Sequence, residues 1–282
     1  MAITLLEAFR KKYPGYADKV AERFQLATGS EFSWDNMTKP NLADYVAFLR
    51  QKLAGSTVRT SCAQLKSVLG LYEEEYPLPK NWRDALYQKK DSSQQVYLTE
   101  DEVSLIVNNF TPTTENEYIV YSRFLLGCLT GARHSDFIKF SRGNIREDGM
   151  LCYVSVKTHI EANVPVAPIV PELIEMASQY KEKEIADTTF NRILRKICAD
   201  VDIDSELTLY RRGTFTTSPK CDFISSHTAR RTFATNLYLR GADLYSISKM
   251  MGHSSVDMTS GYICCGLRNL SPEIKGYFEQ FA

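Results

Sequence analysis

Apolar positions along this chain recur mostly at helical spacing. Residues 41–54 set Leu42, Tyr45, Val46, Leu49 and Leu53 on one face of a helix. Gly55 is expected to end that helix, with Ser56 or Thr57 capping the next. The next one runs to about Tyr72 on Val58, Cys62, Leu65, Val68 and Leu69, and carries Arg59 and Lys66 two turns apart on its other side. Residues 1–12 alternate Leu5, Leu6 and Phe9 with Glu7, Arg10 and Lys11, as an amphipathic helix does. Periodicity stops between Pro77 and Gln95, and the polar end of that stretch reads as an interdomain linker. Thr99 with Glu102, and Thr114 with Glu117, match the capping box and open helices to about Asn108 and Thr130.

Leu151 to Lys157 changes period to two, with Cys152, Val154 and Val156 on one side and Tyr153, Ser155 and Lys157 on the other. Val164-Pro165-Val166 is the expected returning strand, at an edge because of its proline, which sets Lys157 near a hairpin tip. Helical runs follow at 170–180 and 188–200, 207–217 is ambiguous between strand and loop, and further helices are predicted near 227–239, 244–251, 256–263 and 272–280. The pattern predicts a mainly α protein with a small β-sheet. Its expected division is a helical domain at 1–90, a linker at 91–98 and an α+β domain at 99–282.

Composition adds limits. With 282 residues and 44% hydrophobic content, the chain can bury two cores. No apolar run approaches the ~20 residues of a membrane span, so a soluble, cytoplasmic protein is expected. The seven cysteines, Cys62, Cys128, Cys152, Cys198, Cys221, Cys264 and Cys265, form no CxxC pair and read as reduced thiols. Adjacent Cys264 and Cys265 are poorly spaced for a zinc site with His227 or His253, so no metal is expected. Net charge is zero but uneven. Residues 1–95 carry 14 basic and 11 acidic side chains, residues 96–282 carry 20 and 23, and the part from Arg211 onward carries nine and five.

The candidate chemistry lies in scattered residues that are each unremarkable alone. His227 and Arg230 share a helix face by spacing, Gly252-His253 resembles a helix C-terminus, Arg133 follows an apolar helix, Lys157 is a hairpin lysine, and Tyr262 is one of 16 tyrosines. Together they form the set needed to transesterify a phosphodiester. Negative charge spreads over equatorial oxygens in the transition state, and the planar guanidinium of Arg133 or Arg230 can hold two of them. Tyr262 supplies a nucleophile once its proton is accepted. Lys157 can protonate the leaving 5′ oxygen, His227 can transfer the tyrosine proton, and His253 can donate to the phosphate. None of these steps calls for a cofactor.

The order Thr130-Gly131-Ala132-Arg133 with Asp136, then Lys157, His227-Thr228-Ala229-Arg230, Met251-Gly252-His253-Ser254 and Tyr262 resembles the tyrosine recombinase, or phage integrase, family. The resemblance implies a helical core-binding domain followed by an α+β catalytic domain, and a 3′-phosphotyrosyl intermediate on Tyr262. It also implies double-stranded DNA with inverted half-sites as partner, a homotetramer in the synaptic complex, and action on the nucleoid. A last helix from about Pro272 to Phe281 is expected to pack on a neighbour or on its own chain. Arg59, Lys66 and Arg231 are candidate DNA contacts. Arg231, Ala132, Ala229 and Met251 depart from the commonest residues without removing a chemical group. With no room before residue 95 for a separate arm-binding domain, a small integrase, an invertase or a chromosome-dimer resolvase is expected rather than a large phage-type integrase. The alternatives are a non-catalytic DNA-binding or regulatory protein that keeps the clamp, and a type IB topoisomerase.

Overall fold

The computed structural model describes residues 3–89, 94–211 and 214–264. The chain divides into two compact units, one within Met1–Ser93 with Tyr210–Thr214 and the other within Gln94–Leu209 with Phe215–Ala282. The expected linker lies partly, and the helix at 272–280 and Cys265 wholly, outside the described residues.

In the first unit, α1 (Leu5–Lys12), α2 (Ala17–Thr28), α3 (Lys39–Lys52), α4 (Gly55–Leu71) and the short α5 (Trp82–Ala85) enclose an apolar core. Phe24 sits at its aromatic centre, 5.5 Å from Phe32 and 5.8 Å from Tyr45 between ring centroids. The α3 face carries Leu42, Tyr45, Val46 and Leu49 inward, as its periodicity predicts. Gly55, however, begins α4 instead of ending α3. Leu53 and Ala54 are extended, and the Ala54 carbonyl accepts from Val58 N–H at 3.0 Å, so two extended residues make the break without a glycine. The helix α2 was not anticipated. Within the aperiodic stretch after Pro77, Trp82 and Leu86 are buried in this core.

The second unit begins with α6 (Glu100–Asn109) and α7 (Glu115–Thr130), both opened by the predicted capping boxes. Then come α8 (His134–Phe137), β1 (Met150–Val154), β2 (Glu161–Pro165), α9 (Val170–Gln179) and α10 (Asp187–Asp200). They are followed by β3 (Glu206–Arg211) and β4 (Thr214–Pro219), of which Tyr210, Arg211 and Thr214 fall in the first unit, and by α11 (Thr228–Leu239), α12 (Leu244–Met250) and α13 (Val256–Ser260). β1 and β2 pair antiparallel with Met150 opposite Pro165, and β3 pairs with β4, so the ambiguous 207–217 carries strand on either side of residues 212–213 and the described residues form two small sheets where one was expected.

β1 stops at Val154, three residues short of the predicted end. Asp136 Oδ1 accepts the Val156 N–H at 2.8 Å, and His159 N–H closes back onto the Ser155 carbonyl at 2.8 Å, so residues 156–158 turn. Lys157 is therefore exposed on the hairpin turn. The six described cysteines carry no disulfide, and Cys62, Cys128, Cys198 and Cys221 are buried. Among the described residues no helix is long and apolar enough to cross a membrane, and no group of three or more His, Cys, Asp or Glu is placed to hold a metal ion.

Candidate active site

The site grows from α11, which buries a row of hydroxyls. Thr228 caps the approach by accepting from Ser225 N–H at 3.0 Å, Thr232 accepts from Leu98 N–H at 2.9 Å, and Thr235 holds the turn after α13. Threonine tolerates burial here because each hydroxyl satisfies a backbone group that would otherwise be orphaned. On the same helix, Arg230 is 5% exposed. It donates from Nη1 to the Gly131 carbonyl, and from Nη2 to the Met251 carbonyl at 3.3 Å and to His253 Nε2 at 2.7 Å. Three of its five N–H groups thus face protein acceptors, and Nε has no partner.

Two glycines allow that seat. Gly131 ends α7 at φ +63°, and a Cβ there would fall into the Phe233 ring. Its carbonyl is thereby held against Arg230. Gly252, at φ +61°, closes α12 in a Schellman arrangement: its N–H bonds Lys249 O at 3.1 Å and the His253 N–H bonds Ser248 O at 2.9 Å. A side chain at Gly252 would press on Ser155 Cβ at 3.3 Å.

His253 is 2% exposed. Its Nδ1 lies 2.9 Å from Thr259 Oγ1. Burial, with Arg230 and Arg133 nearby, pushes its pKa down to about 4, so the ring is neutral at pH 7. Tyr262 lies in a turn two residues beyond α13, where a helix through 263 was expected. Its N–H bonds the Thr259 carbonyl at 2.8 Å, and Thr235 Oγ1 donates to the Tyr262 carbonyl at 3.4 Å while accepting from Cys264 N–H at 3.0 Å. The half-buried Tyr262 ring is 5.3 Å from the His253 ring, and the Arg230 guanidinium carbon is 5.3 Å from the Tyr262 ring centroid. Arg230, His253 and Tyr262 form one cluster.

Arg133 caps α8 and donates to Ser155 Oγ at 2.9 Å. Ser155, fully buried, donates in turn to Asp136 Oδ2 at 3.2 Å. Arg133 is close enough to depress the proton affinity of both Arg230 and His253. His227, at the N-terminus of α11, stays exposed at its edge, and partial burial and Arg231, with a smaller part from Arg230, lower its pKa. The Lys157 turn is tied to this region by Thr158 Oγ1, which donates to the Gly252 carbonyl at 2.8 Å. Arg231 is half-buried with an unpartnered Nε, while Arg59 and Lys66 lie on α4 in the first unit, Arg59 exposed and Lys66 over the Tyr87 ring at 5.9 Å.

Sequence reading missed the hydroxyls of Ser155, Thr158, Thr235 and Thr259, which position the predicted residues. A detectable signal existed for α11 alone, where Thr228, Thr232 and Thr235 recur at helical spacing on the apolar face.

Residues 96–264 match the family model described as phage integrase family. The tyrosine recombinase XerC of Lactobacillus leichmannii is 23% identical over 279 residues, covering 92% of this chain and 89% of that protein. Among solved structures, the Tn1549 transposon integrase in complex with a circular intermediate DNA has a similar fold, with a TM-score of 0.66 at 13% identity over 99% of this chain and 100% of that one. A lambda integrase tetramer bound to a Holliday junction superposes with a TM-score of 0.61 at 15% identity, over 93% and 78% of the two chains.

Proposed function

The chain belongs to the phage integrase family, and from that premise we propose that it is a site-specific DNA recombinase that cuts and rejoins strands through a 3′-phosphotyrosyl intermediate on Tyr262. The observation that carries this reading is the convergence of Arg230, His253 and Tyr262 in one cluster, with Arg133 in electrostatic reach. In the proposed step the Tyr262 oxygen bonds to phosphorus as the bond to the 5′ oxygen breaks. His227, whose lowered pKa keeps it able to accept, takes the tyrosine proton, and Lys157 gives a proton to the 5′ oxygen. Arg133, Arg230 and His253 neutralise charge on the non-bridging oxygens. Attack by a 5′ hydroxyl of another strand reverses the step, and the phosphotyrosyl bond conserves the energy for rejoining.

The first unit, residues 1–90, is the proposed core DNA-binding domain, joined through residues 91–98 to the catalytic domain at 99–282. Arg59 and Lys66 in the first and Arg231 in the second are the proposed phosphate contacts, which fix register without reading sequence. The proposed partner is double-stranded DNA with inverted half-sites, engaged by a homotetramer at synapsis, in the cytoplasm. The lambda tetramer on a junction supports that assembly as an expectation for this fold.

A nicked duplex taken from the DNA flanking the native gene tests the reading. Wild type should form a covalent adduct visible on a denaturing gel, and Tyr262→Phe should form none. Binding of that duplex without an adduct would overturn the reading in favour of a non-catalytic clamp. Relaxation of plasmid with no site preference would instead indicate a topoisomerase.

A further inference from the structure

Both ring nitrogens of His253 are engaged, Nε2 with Arg230 Nη2 at 2.7 Å and Nδ1 with Thr259 Oγ1 at 2.9 Å. A guanidinium has donors only. The Arg230 contact therefore makes Nε2 the lone-pair nitrogen, and since the buried ring is neutral, its proton sits on Nδ1 and is donated to Thr259. A phosphate oxygen before Nε2 demands the opposite arrangement. Such an oxygen only accepts, so Nε2 must carry the proton and Nδ1 must receive one. A carboxylate or a carbonyl behind Nδ1 would forbid this, because neither donates. A hydroxyl permits both.

We propose that Thr259 is a positioning residue that reverses its hydrogen bond with His253, accepting from Nδ1–H in the unbound protein and donating to Nδ1 when Nε2–H faces a phosphate oxygen. The proton count is conserved. One ring proton leaves Nδ1 to water, another reaches Nε2 from water, the ring stays neutral, and Arg230 turns its freed Nη2–H toward the phosphate. The location of Thr259 suits the role. It is fully buried, and its carbonyl accepts the N–H of Tyr262 at 2.8 Å, so one residue holds the histidine by its side chain and the nucleophile's turn by its backbone. The phosphate-bound half rests on the recombinase reading; the unbound half does not.

The test is the 15N spectrum of histidine-labelled protein, with His253 assigned among the four histidines by His253→Gln. In the free protein Nδ1 should appear protonated and Nε2 as the lone-pair nitrogen. In Tyr262→Phe protein bound to a nicked duplex on which wild type forms its adduct, the two should interchange. Thr259→Val, which keeps shape and loses the hydroxyl, should lower adduct formation at saturating DNA roughly 10- to 100-fold, as loss of an orienting partner does elsewhere. The DNA concentration for half-maximal rate should not change, and Thr259→Ser should restore the rate. A protonated Nε2 in the free protein, an unchanged spectrum on DNA, or wild-type cleavage by Thr259→Val would each overturn the proposal. The free wild-type and DNA-bound Tyr262→Phe spectra decide it even if Thr259→Val does not fold. Absence of any wild-type adduct would sink the recombinase reading, and the free-protein spectrum would still judge Thr259.

Discussion

The two units bury very different things. Among the described residues, the first packs 19 apolar side chains and one polar one, Ser61, while the second buries 14 polar or charged side chains within its apolar core. Burial of a polar group is costly unless it is hydrogen-bonded. A segment that carries so many therefore has a use for them. Not every use is chemical: Arg123 spends its Nη2 on the Tyr180 and Lys183 carbonyls, bracing a loop. The cluster at Arg230 differs in that a buried cation meets both a histidine, His253, and a tyrosine, Tyr262.

The largest effect expected tests the apolar side of this contrast. Phe24→Ala should destabilise the first unit by about 3–5 kcal/mol, because it empties an aromatic centre. Amide exchange in α7 and α11 should be unaffected. Loss of protection in both units would break the comparison, since the two cores would then be one cooperative structure.

On the polar side, Arg133→Ala and Arg230→Ala should each lower cleavage by about 10²–10³ with DNA binding retained, as for groups that act on transition-state charge. They should differ in melting temperature. Arg230 holds the Gly131 and Met251 carbonyls inside the core, whereas Arg133 is half-buried with its bond to Ser155 at the core's edge. Equal loss of binding and cleavage by either variant would contradict the assignment.

Smaller again is a pH effect. The pKa of His253 falls from an ordinary value near 6.5 to about 4 on folding. The unfolded chain therefore binds the extra proton between these values, and stability rises with pH across that window and is lost as pH falls through it. The full effect is on the order of 3 kcal/mol. Melting temperature measured from pH 6.5 to 4 should drop less steeply in His253→Gln than in wild type. Parallel curves would mean that the histidine is not held neutral by its burial beside Arg230.

The helices α6 and α7, with a capping box called at each start, and α3, on periodicity alone, were legible in sequence and begin within two residues of expectation. The structure brings together Arg230, His253 and Tyr262, with Arg133 in electrostatic reach, four residues that the sequence offers as candidates on their chemistry. Gly55 misled because a helix can be broken by extended residues alone, and β1 ended early because Asp136, 20 residues away, takes the Val156 N–H. The supporting hydroxyls of Ser155, Thr158 and Thr259 were invisible because their value lies in distant backbone and side-chain partners, which no local pattern encodes.

One motif occurs in both units and isolates the role of burial. Thr4 with Glu7 in α1, and Thr114 with Glu117 in α7, form the same capping box. Thr4→Ala would remove two hydrogen bonds, the Glu7 N–H to Thr4 Oγ1 at 3.2 Å and Thr4 Oγ1 to Glu7 at 2.9 Å. Thr114→Ala would remove one, the Glu117 N–H to Thr114 Oγ1 at 3.3 Å. Counting bonds ranks Thr4 first; burial ranks it second. Glu7 is exposed, so water replaces the lost partner, whereas Glu117 is 8% exposed and its carboxylate stays fixed by Thr113 and Lys196. The expected costs are a few tenths of a kcal/mol for Thr4→Ala and about 1–2 kcal/mol for Thr114→Ala. Urea titrations of both variants, together with amide exchange in α1 and α7, decide between the rankings. A larger loss at Thr4 would show that the second unit's buried polar groups are no more dependent on their partners than groups in water.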